Sequence, residues 1–270
     1  KYYLYKYDIF VFIKRLDLEL AEVIKKHGKT IVVDIVDNYD FDKESLWSKD
    51  NSFVDYYIAN TQAHRNFTSK RFNINSERIF VIEHHHSNLN NITKKVEAIK
   101  TVGFIGASEQ FNKSERLMKF LNNHNLNFYI PEKSPISNKE AVDETLKLDC
   151  FILNVDKNIK NSAENIYDYI LKFKPAQKIL LPFSIGIPTI LAPYISYIEA
   201  VNEADYSIDE FLMASNEDEL IANITKLLNF NSEQLNDLIE KQKKVASMFT
   251  LEEVSKKYIR MFETIYENKL

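Results

Sequence analysis

Short apolar runs alternate along this chain with stretches whose apolar residues recur every three or four positions. The runs read as buried strands and the stretches as amphipathic helices. In the first half, DIFVFI (Asp8 to Ile13), TIVVDIV (Thr30 to Val36), DYYIA (Asp55 to Ala59) and RIFVIE (Arg78 to Glu83) are expected strands. Leu16, Leu20, Val23 and Ile24 line one helical face after the first of them, and Gly28 closes that helix. Asn60-Thr61 can cap a helix from Gln62 to Phe72. A strand, a helix and a strand of these lengths make a right-handed parallel crossover. A polar stretch, Asn88 to Lys100, then separates this half from the next, and a domain boundary is expected there.

The second half restarts the pattern. Thr101 to Ile105 reads as a strand, Gly106-Ala107-Ser108 as a tight loop, and Ser114 as the cap of a helix to Asn123. A strand at Asn127 to Ile130, a helix at Asn138 to Lys147 and an apolar strand at Asp149 to Val155 follow. The stretch from Asn158 to Phe173 fits a helix or a loop equally. In KPAQKILLPFSIGIPTILAP, Ala176 to Ile185 forms a helix with almost no polar face. Pro182 should kink this helix or end its regular part early, and Gly186 closes it. Pro188 to Ala192 reads as a strand, and an apolar helix feeding an apolar strand implies a parallel sheet covered on both faces. Glu210 to Met213 suggests a further short strand. Ser215 with Asp218, and Thr250 with Glu253, have capping-box spacing. Leu220, Ile221, Ile224, Leu227 and Leu228 form one apolar face, a helix covers Ser232 to Met248, and Val254, Tyr258, Met261, Phe262 and Ile265 face inward from the last helix. The expected class is α/β: two Rossmann-like doubly wound domains, residues 1–95 and 96–270, with a C-terminal helical tail.

Composition removes several functions. Four glycines are too few and too scattered for a G-x-G-x-x-G fingerprint or a Walker A loop, so hydride transfer and P-loop hydrolysis drop away. A net charge of −4 argues against nucleic acid as a partner. The single cysteine, Cys150, rules out an internal disulfide and points to a reducing compartment. Nothing approaches the ~20 apolar residues that span a bilayer, and no signal peptide is visible. The chain opens at Lys1, close to a strand, as a trimmed chain or a fragment would.

Candidate chemistry gathers at expected strand ends. Lys174, Gln177 and Lys178 stand at a helix N-terminus, where dipole and cations favour an anion such as phosphate. Gly106-Ala107-Ser108 offers backbone N–H groups without bulky side chains. His84, His85 and His86 follow a strand directly; three consecutive residues on a strand cannot all face one metal ion, so a base, a phosphate contact or a solvated linker remains. Asp37 stands at a strand's carboxyl end as a candidate general base, or as a plain loop carboxylate; Asp34 and Asp40 lie near it. Lys14 and Arg15, also at a strand end, fit an anionic acceptor or a surface charge pair.

Three segments, RIFVIEHHHSN, TVGFIGAS and KPAQK…GIPTI, carry a resemblance to GT-B-fold glycosyltransferases. Their order along the chain resembles that family over most of its length. The resemblance implies a nucleoside-diphosphate sugar as donor and a glycan or lipid-linked acceptor, in surface polysaccharide or glycoconjugate synthesis. It implies a catalytic set of Asp37, His84 and His86, a donor set of Gly106, Ala107, Ser108, Lys174, Gln177, Lys178 and Glu199, and an acceptor set of Lys14 and Arg15. It calls for no cofactor and no metal. It places the protein in the cytoplasm, with peripheral association at the inner membrane face. Two departures stand out. Only about four strands precede the linker, where roughly six or seven are expected, so the acceptor domain reads as shortened. The glutamate pair of many retaining members is replaced by Phe173 and Leu181. A sugar-nucleotide epimerase or hydrolase, and a non-catalytic binding subunit, are the alternatives on the same fold.

Overall fold

The structure is a computed structural model that describes residues 2–35, 52–86, 88, 91–106, 111, 113–153 and 175–268. The chain divides into two compact units: Lys1–Glu83 with Lys257–Leu270, and His84–Glu164 with Ala176–Lys256. Among the described residues no helix is long and apolar enough to cross a membrane.

The first unit holds α1 (Tyr2–Lys6), β1 (Ile9–Ile13), α2 (Leu18–Lys26), β2 (Thr30–Asp34), β3 (Tyr56–Ala59), α3 (Gln62–Phe72) and β4 (Ile79–Val81). Its strands lie parallel in the order β1-β2-β3-β4. Period-two alternation sorts β1: Phe10 and Phe12 pack on a core of Ile31, Val33, Tyr57 and Ile24, while Val11 and Ile13 on the other face are exposed. Helix α2 begins at Leu18, capped by Asp17, and buries Ala21 and Ile24. Leu20 and Val23, expected inside, are exposed, because Leu16 packs from the loop and does not set the helix phase. Helix α3 has the expected bounds, with the Thr61 side chain accepting from the His64 N–H. Strand β4 is shorter than RIFVIE suggests, since Arg78 belongs to a 3-10 turn, Ser76–Arg78, and directs its guanidinium to the carbonyls of Val54 and Asp55.

The second unit holds β5 (Thr101–Gly103), α4 (Glu115–Asn123), β6 (Asn127–Tyr129), α5 (Asn138–Thr145), β7 (Cys150–Ile152), α6 (Gln177–Ile185), β8 (Thr189–Ile190), α7 (Ile195–Glu203), α8 (Glu217–Leu228) and α9 (Ser232–Ser247). The last helix, α10 (Leu251–Glu267), starts in this unit and ends in the first. The second sheet is also parallel, in the order β6-β5-β7-β8. Winding therefore reverses at β5, as in a doubly wound sheet. Edge strand β8 is sheltered: Leu191 bridges to Met213, and buried Gln242 of α9 donates to the Thr189 carbonyl at 3.1 Å. The expected strand at Glu210 to Met213 is that single bridge beside a 3-10 turn, Ile208–Glu210. Helix α8 is capped by Asn216, one residue beyond Ser215; its side chain accepts from the Glu219 N–H, and the Glu219 carboxylate accepts from the Ser215 N–H, so the expected box of Ser215 with Asp218 does not form.

Helix α6 does not end early at Pro182. It runs through Pro182 to Ile185. Pro182 has no N–H to give the Lys178 carbonyl, but its own carbonyl accepts from Ile187 at 2.9 Å, and Gly186 donates to Phe183 at 3.1 Å. These two bonds are a Schellman stop, which requires Gly186 at its φ of 87°. A β-carbon on Gly186 would also meet the Lys94 carbonyl oxygen at 3.2 Å and Lys243 Cε at 3.0 Å. Gly186→Ala should therefore cost about 1–2 kcal/mol, the left-handed penalty for a residue with a β-carbon, and Gly186→Asn less. Urea unfolding followed by circular dichroism measures this; an unchanged midpoint for Gly186→Ala would contradict the account.

Candidate functional site

In the second unit a pocket of about 380 Å³ opens where the sheet order reverses. Ile105 and Gly106 after β5 form one wall, Ser134 and Pro135 before α5 another, and Gln177, Lys178, Leu181 and Pro182 of α6 a third. Strand β5 delivers Gly106 because Gly103 allows close pairing: a β-carbon there would collide with the Tyr129 carbonyl oxygen and come within 2.6 Å of Leu148. Helix α6 delivers Gln177 and Lys178 because its remaining residues are buried apart from Ser184. Ala176 gives this helix no side-chain cap. The Lys178 ammonium stands over the Phe104 ring, 4.2 Å from its centroid. A positive group, a helix N-terminus and Gly106 thus meet at one cavity, an arrangement suited to a bound anion. Gly106, Gln177 and Lys178 are the expected donor residues that the structure brings together. Phe104 was not among the expected residues; inside TVGFI it reads only as a strand position.

Glu199 and the three histidines are not among the residues lining this pocket. Glu199 is half-buried on α7, whose N-terminus follows β8. His84 and His85 are half-buried. His86 is buried; its N–H donates to the Phe249 carbonyl at 2.9 Å, and its Nδ1 accepts from the Asn88 N–H at 3.1 Å. Burial first, then the neighbouring His85, lowers the His86 pKa. The ring is therefore held neutral, with its proton on Nε2. Glu83, the carboxylate beside the histidines, pairs with Lys257 at 2.6 Å. Asp37, Asp40, Ala107, Ser108 and Lys174 lie outside the described residues. Among the described residues no three His, Cys, Asp or Glu side chains are grouped to hold a metal ion.

The first unit gathers polar groups at the carboxyl edge of its own sheet. Lys14 and Arg15 follow β1 and are exposed, and Lys14 takes the left-handed φ of 67°, uncommon outside glycine. Its N–H donates to the Asp34 carbonyl at 2.8 Å. Asp34 is buried at the end of β2, with the Tyr258 hydroxyl 3.5 Å from its carboxylate. Burial, with Asp34 second, pushes that hydroxyl up to about 12. After β3, buried Asn60 meets Nδ1 of buried His64 at 2.8 Å. Nothing in the sequence marks this pair, since a histidine inside a helix carries no signal of its partner.

No family model matches the sequence, and no curated protein matches it. Solved structures do. HepE of Anabaena in complex with UDP superposes with a TM-score of 0.62 at 12% identity, over 98% of this chain and 80% of that one. The pneumococcal O-GlcNAc transferase GtfA, in complex with UDP and GlcNAc, gives 0.55 at 12%, over 98% of this chain and 59% of that one. The lipopolysaccharide outer core galactosyltransferase WaaB gives 0.53 at 13%, over 97% and 76%. The chain has the GT-B glycosyltransferase fold, α/β in two units with a helical C-terminal tail.

Burial pushes the His64 pKa from 6.5 down to about 4. A histidine held neutral in the folded state stabilises it fully above the unfolded value, and that stability is lost as pH falls towards the folded value. Between about pH 6.5 and pH 4 the first unit should lose about 3 kcal/mol, and His64→Gln should flatten this acid limb. Denaturant unfolding at stepped pH reads both slopes; equal slopes in the two proteins would remove His64 as the cause.

Proposed function

We propose that the protein is a glycosyltransferase that moves a sugar from a nucleoside-diphosphate sugar to a glycan or lipid-linked acceptor. The observation that carries this reading is the convergence of Gly106, Gln177 and Lys178 on one pocket at the reversal of a parallel sheet. UDP in the complexes of HepE and GtfA supports a diphosphate as the group bound. In this reading the Gly106 backbone and the first turn of α6 receive the diphosphate, and Lys178 neutralises the charge that grows on it as the glycosidic bond breaks. Ala107, Ser108 and Lys174 are assigned to the same diphosphate, and Glu199 to the ribose. Deprotonating the acceptor hydroxyl falls to Asp37 or His84. His86 is assigned as a donor and not a base, because its Nδ1 already accepts from Asn88 and its Nε2 holds the proton. Lys14 and Arg15 are assigned to an anionic acceptor at the other sheet's carboxyl edge. A lipid-linked acceptor would bring the protein to the cytoplasmic face of the membrane.

Calorimetric titration with UDP-, GDP-, CMP- and TDP-sugars tests the donor, and product analysis with donor alone tests the reaction. Turnover to a 2-epimer or free sugar without acceptor would favour an epimerase or hydrolase; binding without turnover under any acceptor would favour a binding subunit. Lys178→Ala should weaken the bound nucleotide about ten- to a hundredfold, the worth of one charge-assisted hydrogen bond, with the unfolding midpoint unchanged. Wild-type affinity in that variant would move the phosphate elsewhere.

A further inference from the structure

We propose that Phe104 is a positioning residue for the donor diphosphate, acting through Lys178: its ring fixes the ammonium beside the Gly106 turn, where the phosphates would enter. This rests on the glycosyltransferase reading of the pocket. Three observations meet at one point. The Lys178 Nζ lies 4.2 Å from the Phe104 centroid, within cation–π range. The ring is held in turn, being 1% exposed, stacked with Phe151 at 6.3 Å and tilted against Phe111 at 5.4 Å. A β-carbon on Gly106 would stand 2.7 and 2.8 Å from two atoms of that ring and 3.2 Å from the Lys178 Nζ, so turn, ring and cation already touch.

The physical consequence concerns entropy and desolvation. A lysine carries a flexible four-carbon stem, and binding a phosphate with a mobile ammonium costs its rotamer freedom. The buried ring has no such freedom to lose. By holding the ammonium before the ligand arrives, it removes part of that cost, which is preorganisation. A cation over a ring face still directs N–H donors away from the ring, so the contact and a phosphate bond can coexist. The alternative is that the ring parks Lys178 away from the ligand. That arrangement would compete with binding and gives the opposite sign in the test.

The test replaces Phe104 in the full chain, site-specifically, with mono-, di- and trifluorophenylalanine. Fluorine draws charge from the ring face while leaving the side chain's shape nearly intact. UDP affinity is measured by calorimetry across the series, in the wild-type background and with Lys178→Ala. The expected result is a stepwise loss of about two- to tenfold in the wild-type background and no trend with Lys178→Ala. A flat series, a rise in affinity with fluorination, or the same slope in both backgrounds overturns the positioning role while nucleotide binding itself stands. If the unsubstituted protein binds neither UDP nor any other nucleoside diphosphate, the donor reading falls and the positioning role falls with it.

Discussion

Enclosure of helix α6 is the constraint on which the second unit depends. Ile179, Leu180, Leu181, Pro182, Phe183 and Ile185 are all buried, so this helix has no face to give to water. A proline inside a helix costs roughly 3 kcal/mol, while a fully buried Leu, Ile or Phe contributes roughly 1.5–3 kcal/mol each, so the helix persists through Pro182. The C-terminal end is stopped by Gly186, against the Lys94 carbonyl and the side chains of Lys243 and Ile239. What remains accessible is the first turn. Gln177 and Lys178 reach the pocket because the rest of the helix cannot be anywhere else.

The two sheets divide the work through their strand order. In β6-β5-β7-β8 the strands after β5 continue on opposite sides, which opens a crevice at the carboxyl end of β5. Gly106 lies at that end and lines the cavity. In β1-β2-β3-β4 the order never reverses among the described strands, and the carboxyl edge is knit by its own polar groups. Asp34 meets Tyr258, and Asn60 meets His64. An edge built in this way suits holding a chain in register more than enclosing a nucleotide, which is why the donor is assigned to the second unit.

Most of this architecture was legible because local signals agreed with tertiary packing. Helices Gln62–Phe72 and Glu115–Asn123 start at their expected caps, Thr61 and Ser114, since a capping bond is made within three residues. Gly106, Gln177 and Lys178 could be singled out because glycine turns and helix N-termini have recognisable local patterns, and all three line one pocket. The failures have the opposite character. The inward face of α2 was misjudged because Leu16 packs from the preceding loop and not from the helix. Continuation through Pro182 depends on burial that no window of the sequence displays. His64 with Asn60 and Phe104 with Lys178 are side-chain pairs fixed by packing, and the second joins residues distant in sequence.

Net charge makes the last of these pairs matter most. The chain carries −4, and a nucleoside diphosphate is also an anion, so the protein's overall field gives the ligand no attraction. At physiological ionic strength that field is screened beyond about 8 Å, which leaves recognition to the groups at the pocket itself. An exposed lysine on a mobile stem would contribute little there, as surface ion pairs usually do. Lys178 differs in being half-buried, at a helix N-terminus and over an immobile aromatic face. Each of these features raises the share of its charge that a phosphate would feel, through lower effective dielectric, an aligned dipole and less entropy to lose. On the proposed reading, a net acidic chain binds an anion here because Lys178 is held over an uncharged ring before the ligand arrives.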